Sequence, residues 1–191
     1  DECRGRMVVS IGAGITEAAI ISLGGIVCAR TLPVGGNDLD AAIAAHVRSA
    51  HQLLIGEPTA ERLKIRIGSA LANGHEASLP VRGRSIGEGV PRQATVGSGE
   101  VQEAMAQPLQ RIVNLVRETL EQAPPELSAD IADTGIVLTG GTALLRNLDR
   151  FIAAQCGVPV VVAGDPLSSV VLGLGHQLGQ IRPREWRRFG Y

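Results

Sequence analysis

Near its start the chain reads Met7-Val8-Val9-Ser10-Ile11-Gly12-Ala13-Gly14-Ile15-Thr16-Glu17, an apolar run that stops at glycine and then resumes. Further apolar runs at 18–23 and 26–32 are separated by Gly24-Gly25. Short runs rich in β-branched residues, divided by glycine turns, predict an antiparallel meander of three strands. Since Glu17 and the glycines interrupt the apolar stretch 7–29, this interpretation is preferred to a membrane-spanning helix.

The pattern changes to helical spacing after Gly35-Gly36, and it predicts a helix capped by Asn37 or Asp38. A second helix is predicted for 59–70 because its apolar residues form one stripe. Residues 71–100 are glycine-rich and contain only weak strands, at 78–83 and 93–96, which is typical of a small inserted subdomain.

The remaining sequence alternates helices and strands. We expect Ser98 to cap a helix starting near Glu100, and Pro108 to divide that helix into two pieces. A buried strand at 136–139 runs into Gly140-Gly141. Further elements are a helix at 144–155, an apolar strand at 158–162 of the kind covered on both faces, and a helix at 169–180. This second part is therefore α/β.

Composition excludes several classes of protein. The 191 residues are 45% apolar and 19% charged, with a formal net charge of −1, so disorder and nucleic-acid binding are disfavoured. Cys3, Cys28 and Cys156 lie far apart and read as reduced thiols without a zinc site. The four histidines (His46, His51, His75 and His176) have no cysteine or carboxylate at ligand spacing, so surface positions are expected. No export signal is evident at the start.

Three glycine turns follow apolar strands, at 11–14, 34–36 and 138–142. Glycine lets the backbone approach a phosphate or a nucleotide ring closely because no Cβ intervenes. Each turn alone is more typical of a tight bend than of a binding site. Neither the P-loop pattern nor the Rossmann GxGxxG pattern is present, so those two kinds of nucleotide site are disfavoured.

Taken in order, five motifs resemble the second half of the MreB family of bacterial actin homologues, over about 7–180. The motifs are 7–17, Gly56-Glu57-Pro58-Thr59-Ala60-Glu61-Arg62-Leu63-Lys64, Val81-Arg82-Gly83-Arg84, Glu88-Gly89-Val90-Pro91-Arg92, and Val137-Leu138-Thr139-Gly140-Gly141-Thr142-Ala143-Leu144-Leu145-Arg146-Asn147-Leu148-Asp149. The resemblance implies an α/β, actin-like ATPase (ribonuclease H-like) fold, with domain II only and domain I absent. Its larger subdomain would be 1–45 and 112–181, with a smaller α+β subdomain inserted at 46–111 and a polar tail at 182–191.

The resemblance also implies a site for ATP with Mg²⁺. Gly12, Ala13, Gly14, Ile15 and Thr16 match the family's second phosphate loop. Glu61 and Lys64 match the positions that touch ribose and base, and Gly140, Gly141 and Thr142 match the adenosine loop. The three loops must converge for this assignment to hold. No catalytic residue and no metal ligand is assigned.

Two departures from the family pattern bear on catalysis. Ser10 stands where the family has an aspartate that organises magnesium, and Ile15 stands where it has a threonine. The family's first phosphate loop and its water-orienting glutamate lie upstream of the strand at Met7, outside this sequence. We therefore expect weak or absent nucleotide binding and no ATP hydrolysis by this chain alone.

The function that the resemblance implies is cytoskeletal. Family members form nucleotide-dependent cytoplasmic filaments beneath the inner membrane, which guide cell-wall synthesis and rod shape. The expected partners are further copies of the chain, together with membrane-embedded shape-complex and cell-wall synthesis proteins, and no nucleic acid. One alternative is a truncated or divergent half-protein without ATPase activity that binds filaments or is vestigial. Another member of the actin and chaperone ATPase superfamily is a third, which the motif 88–92 disfavours.

Overall fold

The computed structural model describes residues 4–72 and 76–180 and contains two sheets. The strands are β1 (Arg6–Ile11), β2 (Thr16–Ser22), β3 (Gly25–Leu32), β4 (Leu53–Leu54), β5 (Ser78–Ser85), β6 (Pro91–Gly97), β7 (Ile136–Thr139) and β8 (Val160–Val162). The helices are α1 (Gly36–His51), α2 (Glu57–Ile67), α3 (Ser98–Glu121), α4 (Pro125–Thr134), α5 (Leu148–Cys156) and α6 (Ser169–Gln180), with a 3₁₀ turn at Gly141–Leu144.

The larger sheet has the strand order β3-β2-β1-β7-β8. Its first three strands form the predicted meander, with Val9 opposite Ala18 and Ala19 opposite Ala29. On its other side β1 runs parallel to β7, with Met7 opposite Ile136 and Ser10 opposite Thr139. The loops that follow β1 and β7 therefore leave the sheet at the same edge.

The core is aliphatic, as the scarcity of aromatic residues predicts. In β1 and β7 the side chains of Met7, Val9, Ile11, Ile136 and Leu138 have no exposed surface. Helices α1 and α3 contribute a second layer of fully buried residues, among them Leu39, Val47, Ile112, Val113 and Val116. Burial of these side chains holds β1 and β7 in place, and with them the edge of the sheet at which both strands end.

The smaller sheet, in the order β4-β5-β6, is formed by chain between α1 and α3. The chain enters it at Gln52, which has a positive φ of 51°, and leaves it at Gly97. An inserted subdomain is expected to be joined to the rest of the chain at two points, one before and one after it. The boundary of this subdomain at 46–111 stays a prediction.

Helix α3 differs from the prediction because Pro108 lies inside one continuous helix. Proline removes a single hydrogen bond, and here the flanking Met105, Leu109 and Ile112 are buried in the core, so packing holds both halves in line. The predicted caps also differ. Gly35 and Gly97 are the N-caps, and their N–H groups donate to Asp38 Oδ2 at 2.8 Å and Glu100 Oε2 at 2.7 Å. The Ser98 hydroxyl instead accepts from the Ala77 N–H at 3.2 Å.

Three predictions about the last part of the chain need correction. The helix predicted at 144–155 is a 3₁₀ turn followed by α5, and α4 was not predicted. The strand predicted at 158–162 was expected to be covered on both faces, but β8 lies at the edge of the sheet with Val161 55% exposed. Within the described parts of the chain only β7 pairs with β8, so a purely apolar sequence did not indicate a central position.

Helix α6, predicted at 169–180, leaves its apolar side chains in solvent. Val170, Val171, Leu172, Leu174 and Leu178 are each at least half exposed. A search of residues 4–72 and 76–180 found no helix with the length and apolar character needed to cross a membrane. The tail 182–191, Cys3 and His75 lie outside the described residues.

Candidate functional site

A cavity of about 390 Å³ lies where the loops after β1 and β7 meet α1 and α2. We call it the central cavity. Six of the predicted site residues line it: Gly12, Ala13, Glu61, Lys64, Gly141 and Thr142. Gly14, Ile15, Thr16 and Gly140 do not. The three predicted loops therefore converge on one space, which the assignment required.

Hydrogen bonds hold these loops together. Gly12 O accepts from the Thr142 hydroxyl at 2.9 Å and from the Gly36 N–H at 3.0 Å, while Ala13 O accepts from the Asn37 N–H at 2.7 Å. The loop after β1 thus contacts both the 3₁₀ turn and the start of α1. One backbone carbonyl, that of Gly12, is shared by all three elements.

Gly140 explains why the loop after β7 lies so close to β1. Its φ is +87°, a conformation that side chains rarely adopt, and an added Cβ would stand 2.4 Å from the Ile11 carbonyl oxygen. Gly140 therefore does not line the cavity itself, but it lets Gly141 and Thr142, which do, lie close to β1. The Gly140 N–H donates to Pro166 O at 2.8 Å, which anchors the segment before α6.

The other predicted residues outside the cavity lie in or beside the β1–β2 turn. Gly12 N–H donates to Ile15 O at 2.9 Å and closes this turn, and the Ile15 side chain is 43% exposed. Thr16 is buried, and its hydroxyl donates to Val34 O at 2.8 Å, which ties the first glycine turn to the second. Ser10, opposite Thr139 in the sheet, is half-buried.

Helix α2 brings a buried ion pair to the cavity. Lys64 Nζ donates to Asp40 Oδ2 at 2.7 Å and to Gly36 O at 3.1 Å. The two side chains are only 13% and 10% exposed. Burial raises the pKa of Asp40 above its ordinary value, against the lowering effect of Lys64. Asp40 Oδ1 is buried with no hydrogen-bond partner among the described residues.

Gly36, from the glycine turn at 34–36, also lines the cavity, but the sequence did not indicate Asp40 or several lining residues, including Asn37, Arg146 and Leu167. One signal for the ion pair was available, because Lys64 is the only lysine in the chain and every other basic residue is arginine. The sequence contained no comparable indication of the apolar residues that line the cavity. Ile65, Leu144 and Leu167 line the cavity and are each more than half exposed, so a ligand with a flat apolar part and hydroxyl groups would suit it.

Two histidines lie beside a carboxylate, contrary to the prediction. Glu100 Oε1 is 2.7 Å from His51 Nε2 and 3.7 Å from His46 Nε2, and both rings are about four-fifths buried. The sequence spacing hid this contact because α1 and α3 meet only in the fold. Even so, no group of three or more potential ligands arranged to hold a metal occurs within 4–72 and 76–180. His176 on α6 is exposed.

Cys28 and Cys156 are half-buried free thiols. Burial raises the pKa of Cys156, although Arg117 opposes the shift. A raised pKa suppresses the thiolate, which agrees with a packing role rather than a nucleophilic one.

Comparison with known proteins gives a consistent set of relatives. A model of the MreB/Mbl protein family matches residues 1–185. Cell shape-determining protein MreB of Escherichia coli (strain K12) is 51% identical over 180 residues, which are 94% of this chain and 52% of that protein. Cell shape-determining protein Mbl of Bacillus subtilis (strain 168) is 42% identical over 174 residues, 91% of this chain and 52% of that protein.

Solved structures agree. MreB5 of Spiroplasma citri bound to ADP matches with a TM-score of 0.88 and 38% identity, covering 91% of this chain and 53% of that chain. The same protein bound to AMPPNP matches with a TM-score of 0.84 and 35% identity, covering 93% and 56%. The MamK double helical filament, at 22% identity and a TM-score of 0.78, is similar in fold. The chain spans about half the length of each of these relatives.

Proposed function

Because the chain belongs to the MreB/Mbl family, we propose that it is the nucleotide-binding second half of a filament-forming, cell shape-determining protein. The family resemblance seen in the sequence is confirmed, and the chain has the actin-like fold of its relatives. The restriction to domain II and the function of the whole protein are parts of the proposal.

Nucleotide binding rests on the convergence of three loops at the central cavity. Its volume of about 390 Å³ lies within the usual range for small-molecule sites, roughly 300–1,000 Å³. Two similar structures are described as bound to ADP and to AMPPNP. In this proposal Gly12 and Ala13 approach the phosphates, Glu61 and Lys64 contact the ribose and base, and Gly141 and Thr142 pack on the nucleoside.

Magnesium does not fit the residues of this chain. A hard divalent cation prefers charged oxygen ligands, and Ser10 offers a neutral hydroxyl where the family pattern has aspartate. Among the described residues that line the cavity, the carboxylate is that of Glu61, in the part assigned to ribose and base. We therefore propose weak nucleotide binding, without hydrolysis, for this chain alone.

Assembly is proposed from the relatives. Filaments of a head-to-tail kind need a heterologous contact that does not close. The apolar side chains of α6, together with Val161 and Leu167, form an exposed surface that would pack against the remaining half of a two-domain subunit. Residence in the cytoplasm at the inner membrane, with membrane-embedded shape-complex and cell-wall synthesis partners, belongs to this proposal.

The alternative of a filament-binding or vestigial half-protein is not favoured, since 51% identity extends over 94% of the chain. The serine at position 10 weakens the case for ATP hydrolysis, but Ser10 does not line the central cavity, so it does not weaken the case for nucleotide binding there.

The test uses the sole lysine. The purified chain is treated with a limiting amine-acylating reagent, with and without ADP, and acylation of Lys64 is measured by mass spectrometry. We expect ADP to protect Lys64 in a dose-dependent manner, while the terminal amine reacts equally in both samples. Protection should be lost in Gly141→Leu, which fills the cavity, and retained in Gly99→Ala, an open position on α3. Equal acylation of Lys64 with and without ADP would contradict nucleotide binding.

A further inference from the structure

The ion pair beside the central cavity has a geometry that restricts what Lys64 can do. An ammonium group has three N–H donors and no acceptor. Asp40 Oδ2 and Gly36 O take two of them, and Lys64 lines the cavity, so one donor is left for a ligand. The pair therefore turns a flexible side chain into a fixed, directed donor.

The space around Lys64 Nζ is tightly occupied. A Cβ on Gly36 would lie 2.8 Å from Thr142 Oγ1 and 3.3 Å from Lys64 Nζ. The ammonium thus lies where the start of α1 meets the 3₁₀ turn, and a side chain at position 36 would crowd both Lys64 Nζ and the Thr142 hydroxyl. A planar guanidinium is wider than an ammonium, which accounts for a lysine here in a chain that otherwise uses arginine.

The local charge also matters. Asp40 Oδ2 lies 2.7 Å from Lys64 Nζ, and its negative charge offsets the positive charge of the ammonium. A lysine in such surroundings offers a hydrogen bond but exerts little attraction on a distant phosphate.

We infer that Asp40 is a positioning residue for ligand recognition: it holds Lys64 in place and cancels its charge, so that Lys64 binds the uncharged nucleoside part of the ligand and does not select for phosphate. This inference rests on the proposed nucleotide binding. It assigns the contribution of phosphates to affinity to groups other than Lys64, among them the backbone of the loop after β1.

The test measures the affinity of the chain for adenosine, AMP, ADP and ATP by calorimetry or competition. In Asp40→Asn, Lys64 keeps its charge but loses its neutralising partner. We expect adenosine to bind roughly tenfold more weakly, as the loss of a directed charged contact requires, and ADP to lose much less. The ratio of ADP affinity to adenosine affinity should therefore rise about fivefold or more.

Two further variants separate positioning from simple structural damage. Lys64→Met should weaken adenosine and ADP binding by the same factor and leave the ratio unchanged. The double variant should match Lys64→Met, because Asp40 acts only through Lys64. Asp40→Glu keeps the charge and should keep the wild-type ratio within about twofold.

A measurement on the wild-type chain covers the case in which Asp40→Asn does not fold. Saturating adenosine should protect Lys64 from acylation as well as saturating ADP does. Protection by ADP but not by adenosine would overturn the inference, and so would an equal loss of affinity for all four ligands in a folded Asp40→Asn. If the wild-type chain binds none of the four, the proposed function fails and the inference fails with it.

Discussion

Two regions of this molecule have equally apolar sequences and opposite environments. At the centre of the large sheet, β1 and β7 bury most of their apolar side chains completely, whereas β8 and α6 leave most of theirs exposed. The difference comes from the neighbouring elements. Strand β7 has a strand on each side, while among the described residues β8 pairs with β7 alone. An apolar sequence shows that a segment needs a partner, but not that the partner lies in the same stretch of chain.

The comparison is tested most strongly by removing the same side chain from both regions. Leu138 in β7 has no exposed surface, so Leu138→Ala should lower the free energy of unfolding by about 3 kcal/mol or more through lost burial and the cavity left behind. Leu172 in α6 is 61% exposed, and Leu172→Ala should change it by less than about 0.5 kcal/mol. Chemical denaturation of both variants measures the difference. Equal losses would show that α6 is packed as firmly as β7.

Glycine substitutions sharpen the same contrast. Gly140→Ala places a Cβ against the Ile11 carbonyl at a strained φ, and should cost about 2 kcal/mol of folding free energy. Gly173 lies inside α6 with open space around it, so Gly173→Ala should stabilise the chain by up to about 1 kcal/mol, by raising helix propensity. Thermal unfolding should therefore shift in opposite directions. A shift in the same direction for both would be inconsistent with the backbone geometry at one of them.

The sequence predicted the elements of both regions, including α6 at 169–180, but it predicted the surroundings of the first region better than those of the second. The meander, α1, α2 and the strand at 136–139 followed from periodicity and glycine turns, and six of the ten site residues line one cavity. Pro108 and β8 were misjudged for the same reason, since tertiary packing decides whether a proline is tolerated and whether a strand is central. Asp40 and the contact of His51 with Glu100 escaped notice because each joins residues from separate helices, 24 and 49 positions apart.

A hydrogen bond between the loops provides a smaller test at the boundary of the buried centre. The Thr142 hydroxyl donates to Gly12 O at 2.9 Å, and Thr142→Val removes this bond at nearly constant volume. We expect a loss of about 1 kcal/mol in unfolding free energy, together with weaker protection of Lys64 by ADP. Thr134→Val is the matched control, because its hydroxyl bonds to Gly5 and Asp130, away from the cavity. If both variants weaken protection equally, the contact of Thr142 with Gly12 has no special part in binding.

The smallest expected effect is on the pH dependence of stability, and it comes from Glu100 of α3, whose carboxylate contacts His51 of α1. Although burial raises it, the pKa of Glu100 is held below its ordinary value of 4.5 by the Gly97 N–H and by His51 and His46. A lowered carboxyl pKa contributes stability that is present above its unfolded value and is lost as the pH falls through the folded one. Stability should therefore decline in acid from about pH 4.5 downward, and Glu100→Gln should make this decline shallower.

Unfolding measured between pH 3 and pH 7 checks this expectation. Glu103→Gln is the control, because Glu103 is exposed on the same helix. If stability declines equally below about pH 4.5 in the wild type and in Glu100→Gln, Glu100 makes no contribution to the acid dependence.

The parallel pairing of β1 with β7 can form only after a long segment of the chain has been translated. Residues 12–135 separate the two strands, so translation at about 5–20 residues per second takes roughly 6 to 25 s to deliver β7 after β1 has emerged. During that interval the meander carries an unoccupied hydrogen-bonding edge, which other nascent chains can join. Each newly made molecule is therefore most vulnerable to aggregation before β7 has been synthesised.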